Sequence, residues 1–110
     1  MKRARDKGGA ESVVGRGKAV PDAKQRRKQA GDWLKERRSA AGLSQIELAA
    51  QLGLKYYTFI SQVENGFGRV PIETMEAWAR ALRVEPAAFA RKLTSLYEPE
   101  LFRLLFEGKR

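Results

Sequence analysis

Cysteine and histidine are both absent from this 110-residue chain, and the two gaps remove whole classes of chemistry. No disulfide, iron–sulfur site, zinc finger, thiol nucleophile or histidine general base is possible. A chain without cysteine is at home in a reducing compartment. No apolar run approaches the roughly 20 residues needed to span a bilayer, and the N-terminal region lacks the apolar core of a secretory signal. The expected location is therefore the cytoplasm, with no membrane partner. The length allows one small domain and a tail. What the sequence has in excess is positive charge: 22 Lys and Arg against 13 Asp and Glu, a formal net of +9. That excess suggests a polyanionic partner, but charge alone does not separate DNA from RNA or an acidic membrane surface.

The charge is concentrated at one end. Residues 1–28 carry ten basic side chains against Asp6, Glu11 and Asp22, a local net of +7, which leaves +2 for the other 82 residues. Up to Asp32 there is no Leu, Ile or aromatic residue, and Gly8, Gly9, Gly15 and Gly17 interrupt any periodicity. Such a stretch buries too little apolar surface to offset its ordering entropy. Residues 1–28 are therefore expected to be a disordered basic arm, either a tether touching phosphates or an idle solvated tail. The cluster Lys24, Arg26, Arg27 and Lys28 alternatively begins the first helix.

From Trp33 onward apolar residues recur at helical spacing, and five to six short helices are predicted. Helix one is expected over about Asp32 to Ala41, with Asp32 as N-cap and Gly42 as the stop. Helix two opens with the capping box Ser44–Glu47 and carries Leu48, Ala49 and Leu52 inward. The segment Tyr56 to Asn65 is the most informative. Tyr56, Phe59, Ile60 and Val63 form an apolar stripe at i, i+3, i+4 and i+7, while Tyr57, Thr58, Ser61, Gln62 and Asn65 form an opposite face that is polar and uncharged. An idle surface helix would usually carry Lys and Glu there. Pro71 is expected to open helix four, with Met75, Trp78, Ala79 and Leu82 inward, and Pro86 helix five, with Phe89, Leu93, Leu96 and Tyr97 inward. A last apolar helix spans about Pro99 to Glu107.

Two short helices joined by a tight turn, the second with a polar, non-ionic outer face, is the arrangement that places a recognition helix in a major groove. The stretch Gly42-Leu43-Ser44-Gln45-Ile46-Glu47-Leu48-Ala49-Ala50-Gln51-Leu52-Gly53, followed by Phe59-Ile60-Ser61-Gln62-Val63-Glu64-Asn65-Gly66 and Pro71, resembles the Xre family of helix-turn-helix regulators, which includes the lambdoid phage repressors and Cro. The resemblance covers about residues 30–90. It implies an all-α, lambda-repressor-like domain over residues 29–97, followed by a C-terminal helix in residues 98–110. It also implies that Gln45 contacts the DNA backbone and braces the recognition helix. Tyr57, Thr58 and Gln62 match positions from which family members contact base edges, Ser61 shares their face, and Asn65 matches a phosphate contact. The turn between helices two and three is one residue longer than in most members. Tyr56 is therefore left open between the core and a backbone contact.

Gln62 is suited to the N6 and N7 edge of adenine, and Thr58 to a thymine methyl. Lys55 and Arg69 flank the recognition helix as candidate phosphate clamps, as does Ser44 through backbone N–H groups. Simple solubility accounts for the two cations nearly as well. Arg38 and Glu64 match a family pair that joins helices one and three, and are read as structural. Trp33 and Trp78 are read as core aromatics. Leu101, Phe102, Leu104, Leu105 and Phe106 exceed what one side of a short helix buries, which favours a homodimer surface over closure of the monomer core.

The combined expectation is a sequence-specific regulator of double-stranded DNA, a repressor or autoregulator of bacterial or phage origin, associated with the nucleoid and without a cofactor or metal. One rival is an antitoxin or adaptor that holds a protein partner through residues 98–107. Another is a non-specific nucleic-acid binder driven by the arm. An enzyme is not expected, since the carboxylates are scattered and no phosphate-cradling loop or nucleophile–base pair is visible.

Overall fold

Helical periodicity from Leu34 to Tyr97 demands a shared interior, and the computed structural model shows one. The structure describes residues 22–108, and among these every regular element is helical. In chain order the elements are α1 (Ala23–Ala40), α2 (Gln45–Gln51), α3 (Thr58–Glu64), a 3-10 turn (Ile72–Thr74) leading into α4 (Met75–Leu82), α5 (Pro86–Tyr97) and α6 (Pro99–Phe102), which runs on as a π turn over Arg103–Glu107. The chain is thus all-α with six helices. α1 packs on α3 and α5, α5 on α4 and α6, and α2 on α3.

Local chemistry fixes where the helices start. Asp22 and Gln25 form a capping box at α1, with Gln25 N–H donating to Asp22 Oδ1 at 2.8 Å and Asp22 N–H to Gln25 Oε1 at 3.0 Å. Ser44 and Glu47 do the same for α2. At α5 Pro86 occupies the first turn, and the Glu85 carboxylate accepts from the N–H groups of Ala87 and Ala88. Those two backbone donors hold the Glu85 carboxyl below its ordinary range.

The ends share one device. Gly53, at φ +73, donates to the Ala50 carbonyl while Leu54 N–H donates to Ala49; Gly66, at φ +84, donates to Val63 while Phe67 N–H donates to Gln62. Each end pairs a left-handed residue with an apolar one, and otherwise orphaned carbonyls are satisfied. α4 ends the same way on Arg83, at φ +61.

The core is built from Leu34, Leu48, Ile60, Val63, Trp78, Phe89 and Leu93, all essentially closed to solvent. Each such side chain contributes roughly 1.5–3 kcal/mol by leaving water. Trp33 lies half-buried at its edge, with its ring 5.6 Å from that of Phe89. Tyr97 closes the bottom: its hydroxyl accepts from Val70 N–H at 3.2 Å, and burial pushes its phenol up.

Two expectations change. The first helix begins at Ala23 rather than at Asp32, so the alternative holds in which Lys24, Arg26, Arg27 and Lys28 begin that helix, and the boundary at residue 28 falls inside α1. The rest of the expected arm, residues 1–21, lies outside the described residues. The reason is packing by small residues: Ala30 and Gly31 are buried, and Gly31 lies directly on the backbone of α3, where no larger side chain fits. The second change concerns the apolar stripe. Phe59, Ile60 and Val63 point inward, but Tyr56 is 66% exposed, because α3 starts at Thr58 and leaves Tyr56 in the preceding turn, out of helical register.

Gly31 marks the closest approach in the fold. A Cβ built there would lie 2.2 Å from the Glu64 carbonyl oxygen and 2.7 Å from that of Val63. On an exposed helix Gly→Ala would stabilise by up to about 1 kcal/mol. Here the sign reverses, because the obstruction is backbone. Gly31→Ala should destabilise by about 1–3 kcal/mol or more, read as a lowered urea midpoint.

Candidate nucleic-acid interface

The outward face of α3 has meaning only if the helix is held in one orientation, and a buried carboxylate holds it. Glu64, in the last turn of α3, is 3% exposed. It accepts from Arg38 Nε at 2.7 Å and Arg38 Nη2 at 3.0 Å, and from Gln45 Nε2 at 3.0 Å. Arg38 Nη1 also donates to the Leu43 carbonyl at 2.9 Å. Fork-to-fork pairing of this kind gives direction as well as attraction. The hydrogen bond to the Glu64 carboxylate pushes the Arg38 guanidinium above its usual value, so Arg38 keeps its charge. α1, the turn before α2, the start of α2 and the end of α3 thus meet at one group. Gln45 is the brace expected of it.

On the opposite side of α3 the described side chains are exposed or half-exposed. Tyr57 is the residue before the helix and is 49% exposed; Thr58 and Gln62 are exposed, and Ser61 is intermediate. Asn65, at the C-terminal cap, is exposed and reaches Ser61 Oγ from Nδ2 at 3.4 Å, a long contact that leaves the amide available. The five residues share one non-ionic surface about two turns long. Hydroxyl, phenol and amide groups there can donate and accept without the hydration penalty of a charge.

The flanking candidates divide. Lys55 is exposed, with Nζ 5.5 Å from the Tyr56 ring centroid, so both stand at the entrance to α3 and remain open to solvent. Ser44 forms the expected capping box with Glu47, its N–H donating and its hydroxyl oxygen accepting, which leaves the hydroxyl proton and the neighbouring N–H groups of the first turn for an anion. Arg69 turns away: its Nη1 donates to Glu98 at 2.9 Å, and its guanidinium lies 4.6 Å from the Tyr97 ring centroid. The structure therefore pairs Arg69 with the α5–α6 junction, in an ion pair that is itself half open to solvent.

Two exposed apolar residues escape sequence reasoning. Phe67 and Ile72 are each 76% exposed, on either side of the loop that follows α3. Phe67 sits between Gly66 and Gly68 with its N–H fixed to the Gln62 carbonyl, so the ring is presented from a set position. The helical-period argument stops at Gly66 and gives no signal for it.

Comparison with known families agrees with this geometry. A helix-turn-helix family model matches residues 34–89, half of the chain, and the match contains both α2 and α3. The chain belongs to the Xre family of helix-turn-helix proteins. A search of curated proteins finds no match. Membership makes this Xre-family chain a DNA-binding helix-turn-helix protein of the transcription-regulator type. Among its described residues no helix is long and apolar enough to cross a membrane, and no cluster of acidic residues is arranged to hold a metal ion.

The network around Glu64 makes a sharp prediction for this Xre-family scaffold. Arg38→Ala leaves a buried carboxylate with Gln45 as its remaining side-chain donor and should cost about 3–5 kcal/mol in chemical denaturation. The double variant Arg38→Met with Glu64→Leu should recover most of that loss. Equal instability of the single and double variants would assign the cost to packing alone.

Proposed function

We propose that the chain is a sequence-specific regulator of double-stranded DNA, a repressor or autoregulator, that places α3 in the major groove. The observation carrying this reading is the exposed, non-ionic face of Tyr57, Thr58, Ser61 and Gln62 on a helix whose other side is locked by Glu64 and the core. A major groove is about 12 Å wide and admits one helix, and its base edges are distinguished by the hydrogen-bonding and methyl groups those four side chains match. Gln62 serves as the principal reader, with Thr58, Ser61 and Tyr57 beside it. Gln45, Asn65, Lys55 and Tyr56 meet the sugar–phosphate backbone and set the register.

Selection of bound sequences from random DNA tests this directly. The wild-type chain should enrich one sequence. Gln62→Ala should relax preference at a single position by about 1–3 kcal/mol with the melting temperature nearly unchanged. Failure to enrich any sequence would overturn the reading, and collapse of the fold in Gln62→Ala would make that side chain structural.

The C-terminal helix completes the proposal. Leu101, Leu104, Leu105 and Phe106 are 47–62% exposed, so the segment leaves an apolar surface beyond what α5 covers. In the proposed regulator a second copy covers it. Two linked domains gain effective concentration and read half-sites about one helical turn apart. The same surface favours a second reading, an antitoxin or adaptor that holds a different protein through residues 98–107. Leu101→Lys with Leu105→Lys should give a folded monomer by sedimentation with weakened affinity for the selected sequence. A wild-type chain already monomeric at working concentration would favour the second reading.

A further inference from the structure

Within the described residues Lys24, Arg26, Arg27 and Lys28 fall in the first two turns of α1, with Asp22 as the one carboxylate among residues 22–28. At 3.6 residues per turn Lys24 and Lys28 share a face, and Gly31 and Lys35 continue it. That face is turned toward the C-terminal end of α3. Gly31 lies on the Val63 and Glu64 carbonyls, Arg27 Nε donates to the Gly66 carbonyl at 3.4 Å, and a Cβ on Gly66 would fall 2.9 Å from the Lys28 Cα. Backbone contact therefore fastens the amino end of α1 beside Asn65, where the outward face of α3 ends.

The two lysines are available there. Lys24 is exposed and has no ion-pair partner among the described residues. Lys28 meets Asp32 at 2.5 Å, but the two side chains are 53% and 62% exposed, and a pair so open to water is readily exchanged for another anion. Arg69, the other cation expected at this end of α3, pairs with Glu98 and lies over the Tyr97 ring, on the side of the α5–α6 junction.

We infer that Lys24 and Lys28 form a fixed phosphate clamp on the DNA strand that passes the C-terminal end of α3. The inference rests on the proposed DNA-binding reading and deepens it, since it names contacts outside the helix-turn-helix pair. A lysine ammonium is a compact point charge that suits a phosphate oxygen without demanding a particular orientation. Because α1 is already formed and docked, these contacts carry little of the ordering cost that a flexible tether pays on binding. They add affinity and leave sequence preference to α3. The competing role for the same charges is to stabilise the carbonyl end of α3, an effect that belongs to folding and not to binding.

The test measures affinity of the full chain for a short random-sequence duplex and for a selected sequence across a salt titration. Lys24→Gln with Lys28→Gln should make the log–log salt dependence shallower by about 1.8, at roughly 0.9 per neutralised phosphate. Both affinities should fall by the same factor, with preference and melting temperature retained. Lys24→Gln alone, which breaks no ion pair, should lower the slope by about 0.9, and Lys24→Arg with Lys28→Arg should keep it. An unchanged slope overturns the clamp, and so does a lowered melting temperature without a change in slope, which assigns the lysines to folding. Absence of any duplex binding by the wild type overturns the DNA-binding reading itself, and the clamp with it.

Discussion

Everything positional in this molecule depends on one carboxylate kept out of water. Burying Glu64 has a desolvation cost, offset only because Arg38 and Gln45 present donors at hydrogen-bonding distance from three directions. Such a network is weak as a source of net stability and strong as a source of geometry. A rotation or slide of α3 by one residue would leave an ion stranded in the interior. The guanidinium also reaches the Leu43 carbonyl, so the turn entering α2 is drawn into the same constraint. Helix two and helix three are therefore set relative to each other by polar groups, and the apolar core fills the space that this arrangement leaves.

The surface of α3 and the segments beside it differ in charge. α3 carries no charged side chain on its exposed surface, which avoids attracting every phosphate equally. Cations stand at its two ends: Lys55 before it and the amino end of α1 beyond it. Under the proposed function, a non-ionic face between positive flanks suits a polyanion whose information lies in the bases and whose charge lies at the margins. The C-terminal helix stands apart, with an apolar surface on the far end of α5 and a link back through Arg69 and Glu98 to the loop that leaves α3.

Much of this was legible in the residues. Capping at Ser44 and Glu47, the glycine stops at Gly42 and Gly53, and the proline starts at Pro71 and Pro86 are local signals, and local signals survive without tertiary knowledge. The inward faces of α4 and α5 follow from spacing alone. The start of α1 is half legible: the basic cluster from Lys24 to Lys28 offers it as an alternative and Asp22 and Gln25 spell a capping box, but hydrophobic periodicity is blind to packing by Ala30 and Gly31. Tyr56 stays open between core and surface in the sequence, because a helical template does not show that α3 starts only at Thr58. The pairing of Arg69 with Glu98 has no local signal because the two lie far apart in sequence. Phe67 had no pattern to announce it. In each case the missing information is a contact between segments far apart along the chain.

The backbone-to-backbone seat of Gly31 against the end of α3 has a consequence for descent. Since that seat and the Glu64 network fix the helix from behind, exchange of its four forward side chains is close to neutral for folding, within the roughly half kcal/mol typical of surface changes. Lineages inheriting this scaffold are free to vary that face by single substitutions, with the frame passed on intact.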